Sequence, residues 1–189
     1  MYVEYRSAMN LGNAIRYWST WNPQGQSVVF GDRVVSWSEL DDRTSRLANG
    51  LGALGIGHGD RVGILSSNCV EYLEVAIAGY KLGSILVPLN VRLTPPELRY
   101  IIEHAGCRAV VADQHLAPLA AAALDWATDP VDRIGLADGF GVHIDSLRSE
   151  DPTDPRVEVR PADIAYICYT SGTTGTPKGA MSSHGNLLT

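Results

Sequence analysis

The chain has 189 residues, 45% hydrophobic and 19% charged, with a formal net charge of −6. Those values fit an ordinary globular domain and argue against a disordered or fibrous chain. No cluster of Lys and Arg offsets the acidic balance, which excludes a nucleic-acid surface, and no apolar run reaches the roughly 18–20 residues of a membrane-spanning helix. Cys69, Cys107 and Cys168 are odd in number and form no C-x-x-C pair, which argues against structural zinc and predicts reduced thiols in a cytoplasmic setting. Met1 to Arg6 lacks a basic stretch followed by an apolar core, so no secretory signal is expected.

Leu11, Ala14, Ile15 and Trp18 recur at helical spacing and predict a short amphipathic helix that packs on its own domain. Ser27–Phe30 and Arg33–Ser36 flank Gly31-Asp32, the pattern of a two-residue hairpin. Ser36 and Glu39 form a capping box that opens a helix with Leu40, Leu47, Leu51 and Leu54 inward, ended by Gly55 or Gly57. Arg61–Leu65 is a short apolar strand. Asn68 with Glu71 is a looser cap for a helix from Cys69 to Leu82, with Val70, Leu73, Ile77 and Tyr80 on one side. Gly83 ends it, and Ile85–Leu89 is the next strand, with Pro88 where no ladder N–H is needed.

Thr94-Pro95-Pro96-Glu97 caps a helix that runs to Ala105 and stops at Gly106. Arg108–Ala112 is a strand and Gln114–Trp126 an Ala-rich helix. Arg133–Leu136 and Val142–Ile144 are weaker strands. Leu147–Pro161 holds three of the ten prolines and reads as a surface linker. The alternation of strand and helix from Arg61 to Trp126 gives an α/β fold: a mostly parallel sheet flanked by helices, with right-handed crossovers.

Ile164–Cys168 reads as a buried strand, and Cys168 as a small buried filler. It runs into Tyr169-Thr170-Ser171-Gly172-Thr173-Thr174-Gly175-Thr176-Pro177-Lys178-Gly179. That stretch offers little packing and many backbone N–H groups, short hydroxyls and one cation. Glycines let backbone approach an anion closely, and successive N–H groups form an anion-binding nest. A Walker A loop would carry Lys directly after Gly and a hydroxyl directly after Lys. Here Lys178 lies between Pro177 and Gly179, so a polyphosphate ligand stands while the P-loop nucleoside-triphosphatase reading weakens and an unrelated phosphotransferase is disfavoured. A Gly/Thr-rich surface turn without function is the bland alternative. In open parallel sheets ligands sit outside the carboxyl ends of strands, and this loop leaves such an end.

Y-T-S-G-T-T-G-T-P-K-G resembles the phosphate-loop signature of the adenylate-forming superfamily, which includes acyl-CoA synthetases, peptide-synthetase adenylation domains and luciferases. Trp37-Ser38-Glu39-Leu40 is similar to that family's early helix start, and Tyr80–Asp113 to its second block; the likeness runs from Ser27 to Asn186. The resemblance implies an enzyme that uses ATP and Mg2+ to convert a small-molecule carboxylic acid to its acyl-adenylate and then passes the acyl group to coenzyme A. It implies phosphate contacts from Thr170, Ser171, Gly172, Thr173, Thr174, Gly175, Thr176, Lys178 and Gly179, with the Thr170 hydroxyl toward the metal. Thr170 and Thr176 have a second reading as satisfiers of turn backbone. Asn90 stands where peptide-synthetase domains commonly carry Asp, which favours a CoA ligase.

His184 lies in the His-x-Asn that the family commonly has here, and is read as orienting the loop. His58, His104, His115 and His143 lack metal spacing and read as surface residues. The resemblance also implies what these residues do not include: the Thr-x-Glu block, the ribose-gripping Asp and the carboxyl-terminal domain with the catalytic Lys. The expectation is thus a partial amino-terminal AMP-binding domain. Residues 27–149 form an α/β subdomain, 150–162 a linker, and 163–189 the strand, loop and next helix. No acyl-adenylate is expected from it alone. A non-catalytic remnant that at most binds nucleotide weakly is the competing reading.

Overall fold

A computed structural model describes residues 10–170 and 176–189. The amino-terminal helix α1 (Leu11–Trp21) is capped by Asn10, whose side chain accepts from the Asn13 amide. The hairpin β1 (Gln26–Phe30) and β2 (Arg33–Ser36) follows, turning at Gly31. Helix α2 (Trp37–Ala53) starts where the Ser36 hydroxyl accepts from the Glu39 amide, as the sequence predicts.

A seven-stranded sheet organises the rest, in spatial order β7-β6-β5-β3-β4-β8-β9. Its parallel members are β3 (Arg61–Leu65), β4 (Ile85–Pro88), β5 (Cys107–Ala112), β6 (Asp132–Gly135), β7 (Val142–His143) and β8 (Ile164–Thr170). Only β9 (Lys178–Ser183) runs antiparallel, paired along its length with β8. The crossovers contain α3 (Val70–Leu82), α4 (Pro95–Ala105) and α5 (Ala117–Leu124); α6 (Ile144–Leu147) is a single turn after β7, and α7 (His184–Leu188) follows β9.

The period-2 alternation of strands explains the layers. On β5, Ala109 and Val111 face one side, where Leu47 and Leu51 of α2 and Val75 and Leu82 of α3 meet them. Val110 and Ala112 face the other, against Leu98 and Ile101 of α4 and Ala120 of α5. Val62 with Ile64 and Leu65 divide β3 the same way, as Leu86 and Val87 divide β4. Two apolar layers therefore sandwich the sheet, and each fully buried Leu or Ile contributes roughly 1.5–3 kcal/mol by leaving water. Pro88 ends β4. The Leu89 amide donates to Ile64 on β3, so alternation turns the Pro88 nitrogen toward β8, where only Leu86 and Tyr166 are in register.

Several expectations need correction. The cap of α3 is Cys69, not Asn68: its backbone is extended and its Sγ accepts from the Tyr72 amide at 3.3 Å. Leu73 points outward, at 42% exposure, because α3 buries Glu74, Val75 and Ala78 instead. The Ala-rich helix is shorter than Gln114–Trp126, since Pro118 sits in its first turn and Asp113 turns the chain before it, accepting from the Leu116 amide. Ile144 starts α6 rather than ending a strand. Only Ala165 of β8 is fully buried and Cys168 is half-buried; Tyr166, Ile167 and Tyr169 pack against the two layers only in part. Residues 148–163 contain no helix or strand but are strapped to α2: Asn49 Nδ2 donates to Asp151 and Thr153 carbonyls, and Arg46 Nη1 to Ser149 and Glu150 carbonyls.

Candidate phosphate-binding site

Strands β8 and β9 are the two arms that carry the Gly/Thr/Lys stretch. Thr170 ends β8 and is exposed; Lys178 begins β9, exposed and directly across the ladder from it. Thr176 is exposed and Gly179 half-buried. Ser171, Gly172, Thr173, Thr174 and Gly175 lie outside the described residues. Because β8 is parallel to β4, Thr170 sits at the carboxyl-end edge of the sheet. The donor chemistry there fits an anion: hydroxyls at Thr170 and Thr176, an ammonium at Lys178, and no ion pair to Lys178 among the described residues. Gly179 has a packing reason of its own. A Cβ on it would lie 2.8 Å from Ile167 Cγ2 and 3.2 Å from the Tyr169 ring, which stands opposite in the ladder.

His104 is an exposed residue of α4, as the sequence suggests, but its contact was not foreseen: its Nδ1 lies 2.7 Å from the Tyr169 hydroxyl. Tyr100, one turn earlier, stacks on His104 with centroids 5.4 Å apart, and its hydroxyl reaches the Pro177 carbonyl at 3.5 Å. Burial, with Cys107 and Tyr100 nearby, pushes the Tyr169 phenol above its ordinary range. The aromatic pair at i, i+4 on α4 is the only local signal of this cluster; its partner lies 65 residues away.

His184 is not where the sequence suggests. Ser183 caps α7 and stands opposite Ile164, at the amino end of β8, six residues from Thr170. At ~3.3 Å per residue that is about 20 Å from Thr170. His184 is fully buried; its Nδ1 accepts from the Leu11 amide at 3.3 Å, tying α7 to the first turn of α1. The ring proton therefore sits on Nε2, which has no hydrogen-bond partner among the described residues, and the ring meets Tyr80 edge to face. It lies away from Thr170 and Lys178 and joins helices at the amino-end edge of β8.

Burial holds His184 below the ordinary imidazole range, against Asp163, which raises it, and with His58, which lowers it further. The folded state therefore binds fewer protons than the unfolded one just below the ordinary range of ~6.5, so this group's contribution to stability falls as pH drops through it. We expect His184→Asn to melt below the wild type at about pH 7.5 and the gap to narrow by about pH 5.5. A gap independent of pH in thermal melts would contradict this account.

Residues 16–189 match the model of the AMP-binding enzyme family. The chain belongs to that family. Among AMP-binding enzymes it is 34% identical over 165 residues to the 3-hydroxybenzoate–CoA ligase of Aromatoleum, covering 86% of this chain and 32% of that protein. It is 36% identical over 180 residues to the long-chain-fatty-acid–CoA ligase FadD13 of Mycobacterium tuberculosis, covering 93% of this chain and 35% of that protein. The crystal structure of the N-terminal domain of FACL13 from Mycobacterium tuberculosis superposes with a TM-score of 0.82 at 36% identity, over 93% of this chain and 44% of that one. The chain thus spans about a third of the length of these curated relatives.

Proposed function

We propose that these residues form the phosphate-binding part of an AMP-forming carboxylate–CoA ligase, with ATP, a carboxylic acid and coenzyme A as substrates. The observation that carries this is the facing pair Thr170 and Lys178 at the carboxyl-end edge of the sheet, bracketing a hydroxyl- and glycine-rich stretch in a member of the AMP-binding family. Carboxylate attack on the α-phosphorus builds negative charge on the departing pyrophosphate. Fixed donors offset such charge without reorganising, so Lys178, the hydroxyls of Thr170, Ser171, Thr173, Thr174 and Thr176, and the amides of Gly172, Gly175 and Gly179 are assigned to the β- and γ-phosphates. Magnesium, held in part by Thr170, would supply further neutralising charge there. The nucleophile is already ionised, so no strong base is required, consistent with His184 lying at the far edge.

The acid is left open. The relatives' named acids, 3-hydroxybenzoate and long-chain fatty acids, share a carboxylate and little else. Residues 27–149 are assigned to one α/β subdomain, 150–162 to its connection, and 163–189 to the phosphate-binding strand, loop and following helix. No ribose-gripping or thioester-forming group is assigned among these 189 residues.

Isothermal titration of residues 1–189 with MgATP tests the site. The wild type should bind, and Lys178→Ala should bind roughly 10- to 100-fold more weakly, the worth of one charge-assisted hydrogen bond. Equal affinity would remove Lys178 from the site. Pyrophosphate exchange with an aryl or fatty acid should be absent; measurable exchange would show that these residues suffice for adenylation.

A further inference from the structure

The arms of the candidate site are weakly held by the sheet itself. Strand β8 has one registered pair with β4, Leu86 with Tyr166, so Ile167–Thr170 is paired only to β9. Strand β9 is the sheet edge. A two-stranded ribbon is marginal by itself and needs packing against a further element.

Helix α4 supplies the grip. Its Leu98, Ile101 and Ile102 are at most 2% exposed, its start is closed by the Thr94–Glu97 box and its end by Gly106 in the left-handed region, so it is a fixed platform. From it His104 bonds the Tyr169 hydroxyl on β8, with the rings edge to face at 5.8 Å, while Tyr100 stacks beneath His104 and reaches the Pro177 carbonyl on the returning arm. Gly179 leaves the space that lets the Tyr169 ring lie across the ladder. One helix therefore touches both arms, each within one residue of Thr170 or Lys178.

We propose that Tyr100, His104 and Tyr169 are positioning residues: a clamp that fixes the facing of Thr170 and Lys178, and so the phosphate site, which rests on the reading of Tyr169–Gly179 given above. The imidazole–phenol hydrogen bond is the directional part. The stacked rings bring the partners together but do not by themselves fix the rotation of β8.

The test uses His104→Phe, which keeps the ring and loses the bond, Tyr169→Phe, which deletes the hydroxyl, the double variant, and His104→Asn, which restores a polar atom near the Nδ1 position. Amide hydrogen exchange of β8 and β9 is measured without nucleotide, and MgATP affinity by titration. Each single Phe variant should speed exchange in β8 and β9 roughly 3- to 10-fold, as expected for one lost hydrogen bond. The double variant should be no faster than either single one, His104→Asn should approach the wild type, and exchange in α2 and α3 should not move. MgATP affinity should fall in the same order. Unchanged exchange, additive effects or an Asn variant as poor as Phe would overturn the clamp. Faster exchange with undiminished MgATP affinity would overturn its positioning role. A wild type that binds no MgATP would instead defeat the phosphate reading, while the exchange pattern still judges the clamp.

Discussion

Replacing Glu74 with Ala is expected to destabilise the fold by about 3–5 kcal/mol, the usual cost of breaking a buried ion pair from one side. Glu74 is fully buried on α3. Arg43 of α2 donates to it through Nε at 2.5 Å and Nη2 at 3.1 Å, and Arg148 through Nη2 at 2.5 Å. Arg33 of the hairpin lies 3.7 Å away. One carboxylate thus joins four pieces of chain. Glu71 and Asp145 balance the remaining charge by pairing with Arg33 and Arg148. The Arg148 hydrogen bond holds Asp145 below the usual carboxylate range; burial, the largest single influence on Glu71, would raise it, but the Arg33 hydrogen bond, a backbone hydrogen bond and the nearby charges of Arg33 and Arg43 together leave that group lowered too. Depressed carboxylates stabilise above their unfolded range and lose that contribution as pH falls through the folded one, so acid should loosen the same junction. Removing Glu74 takes from Arg43, largely out of water, its ion-pair partner, and leaves Arg148 and Arg33 with Asp145 and Glu71 alone. Glu74→Gln should cost less, since one acceptor and the volume survive. Urea unfolding monitored by circular dichroism measures both; an Ala variant within ~0.5 kcal/mol of wild type would mean that the cluster is no more than a surface network.

That junction marks the boundary of what the sequence discloses. Features decided within a turn of chain were legible: the Ser36 and Thr94 caps, the Gly83 and Gly106 stops, the hairpin at Gly31 and the strand–helix alternation. Features decided by partners far along the chain were not. Nothing near Glu74 in the sequence marks it as buried; its partners Arg43 and Arg148 lie 31 and 74 residues away. His184 sits beside the loop in sequence, yet six residues of ladder carry it to the other edge. His104 is the reverse case, distant in sequence and adjacent in space. The Gly/Thr/Lys stretch stands out in the sequence because its chemistry is local: glycines, hydroxyls and one lysine need no distant partner to suggest an anion.

Strand order sharpens where that stretch acts. Chain order β3, β4, β5 with spatial order β4-β3-β5 places the reversal of the sheet between β3 and β5, where parallel sheets most often open a ligand crevice. Here Asp113 bridges that gap, accepting from the Ser67 amide at 2.9 Å and from the Leu116 amide at 2.9 Å. The proposed phosphate site instead lies on the far side of β4, at β8 and β9. Hollows of about 280 and 390 Å³ occur elsewhere, and neither is lined by a described residue of Tyr169–Gly179. The hairpin site is thus an addition to the parallel sheet, which is why its support comes from α4.

Gly50→Ala is expected to be the most damaging of the small substitutions, although Ala is the better helix former. Gly50 is buried in α2, and a Cβ there would fall 1.6 Å from the Leu147 carbonyl oxygen. The obstacle is backbone, so no rotamer change relieves it, and the chain from α6 onward must lift. Propensity favours Ala by roughly 1 kcal/mol, whereas overpacking of this kind costs typically 1–3 kcal/mol and occasionally more; the net sign is destabilising. The lift has a second consequence. Arg148 follows Leu147 directly and donates both to Glu74 and to the Arg43 carbonyl at 2.9 Å. Displacing Leu147 therefore pulls Arg148 from the buried carboxylate, so Gly50→Ala and Arg148→Ala should damage overlapping interactions. In a double-mutant cycle by urea unfolding, the combined loss should fall short of the sum by about 0.5–3 kcal/mol. Strict additivity would show that the strap can lift at Leu147 without disturbing Glu74, and that the close approach at Gly50 and the arginine cluster are held independently.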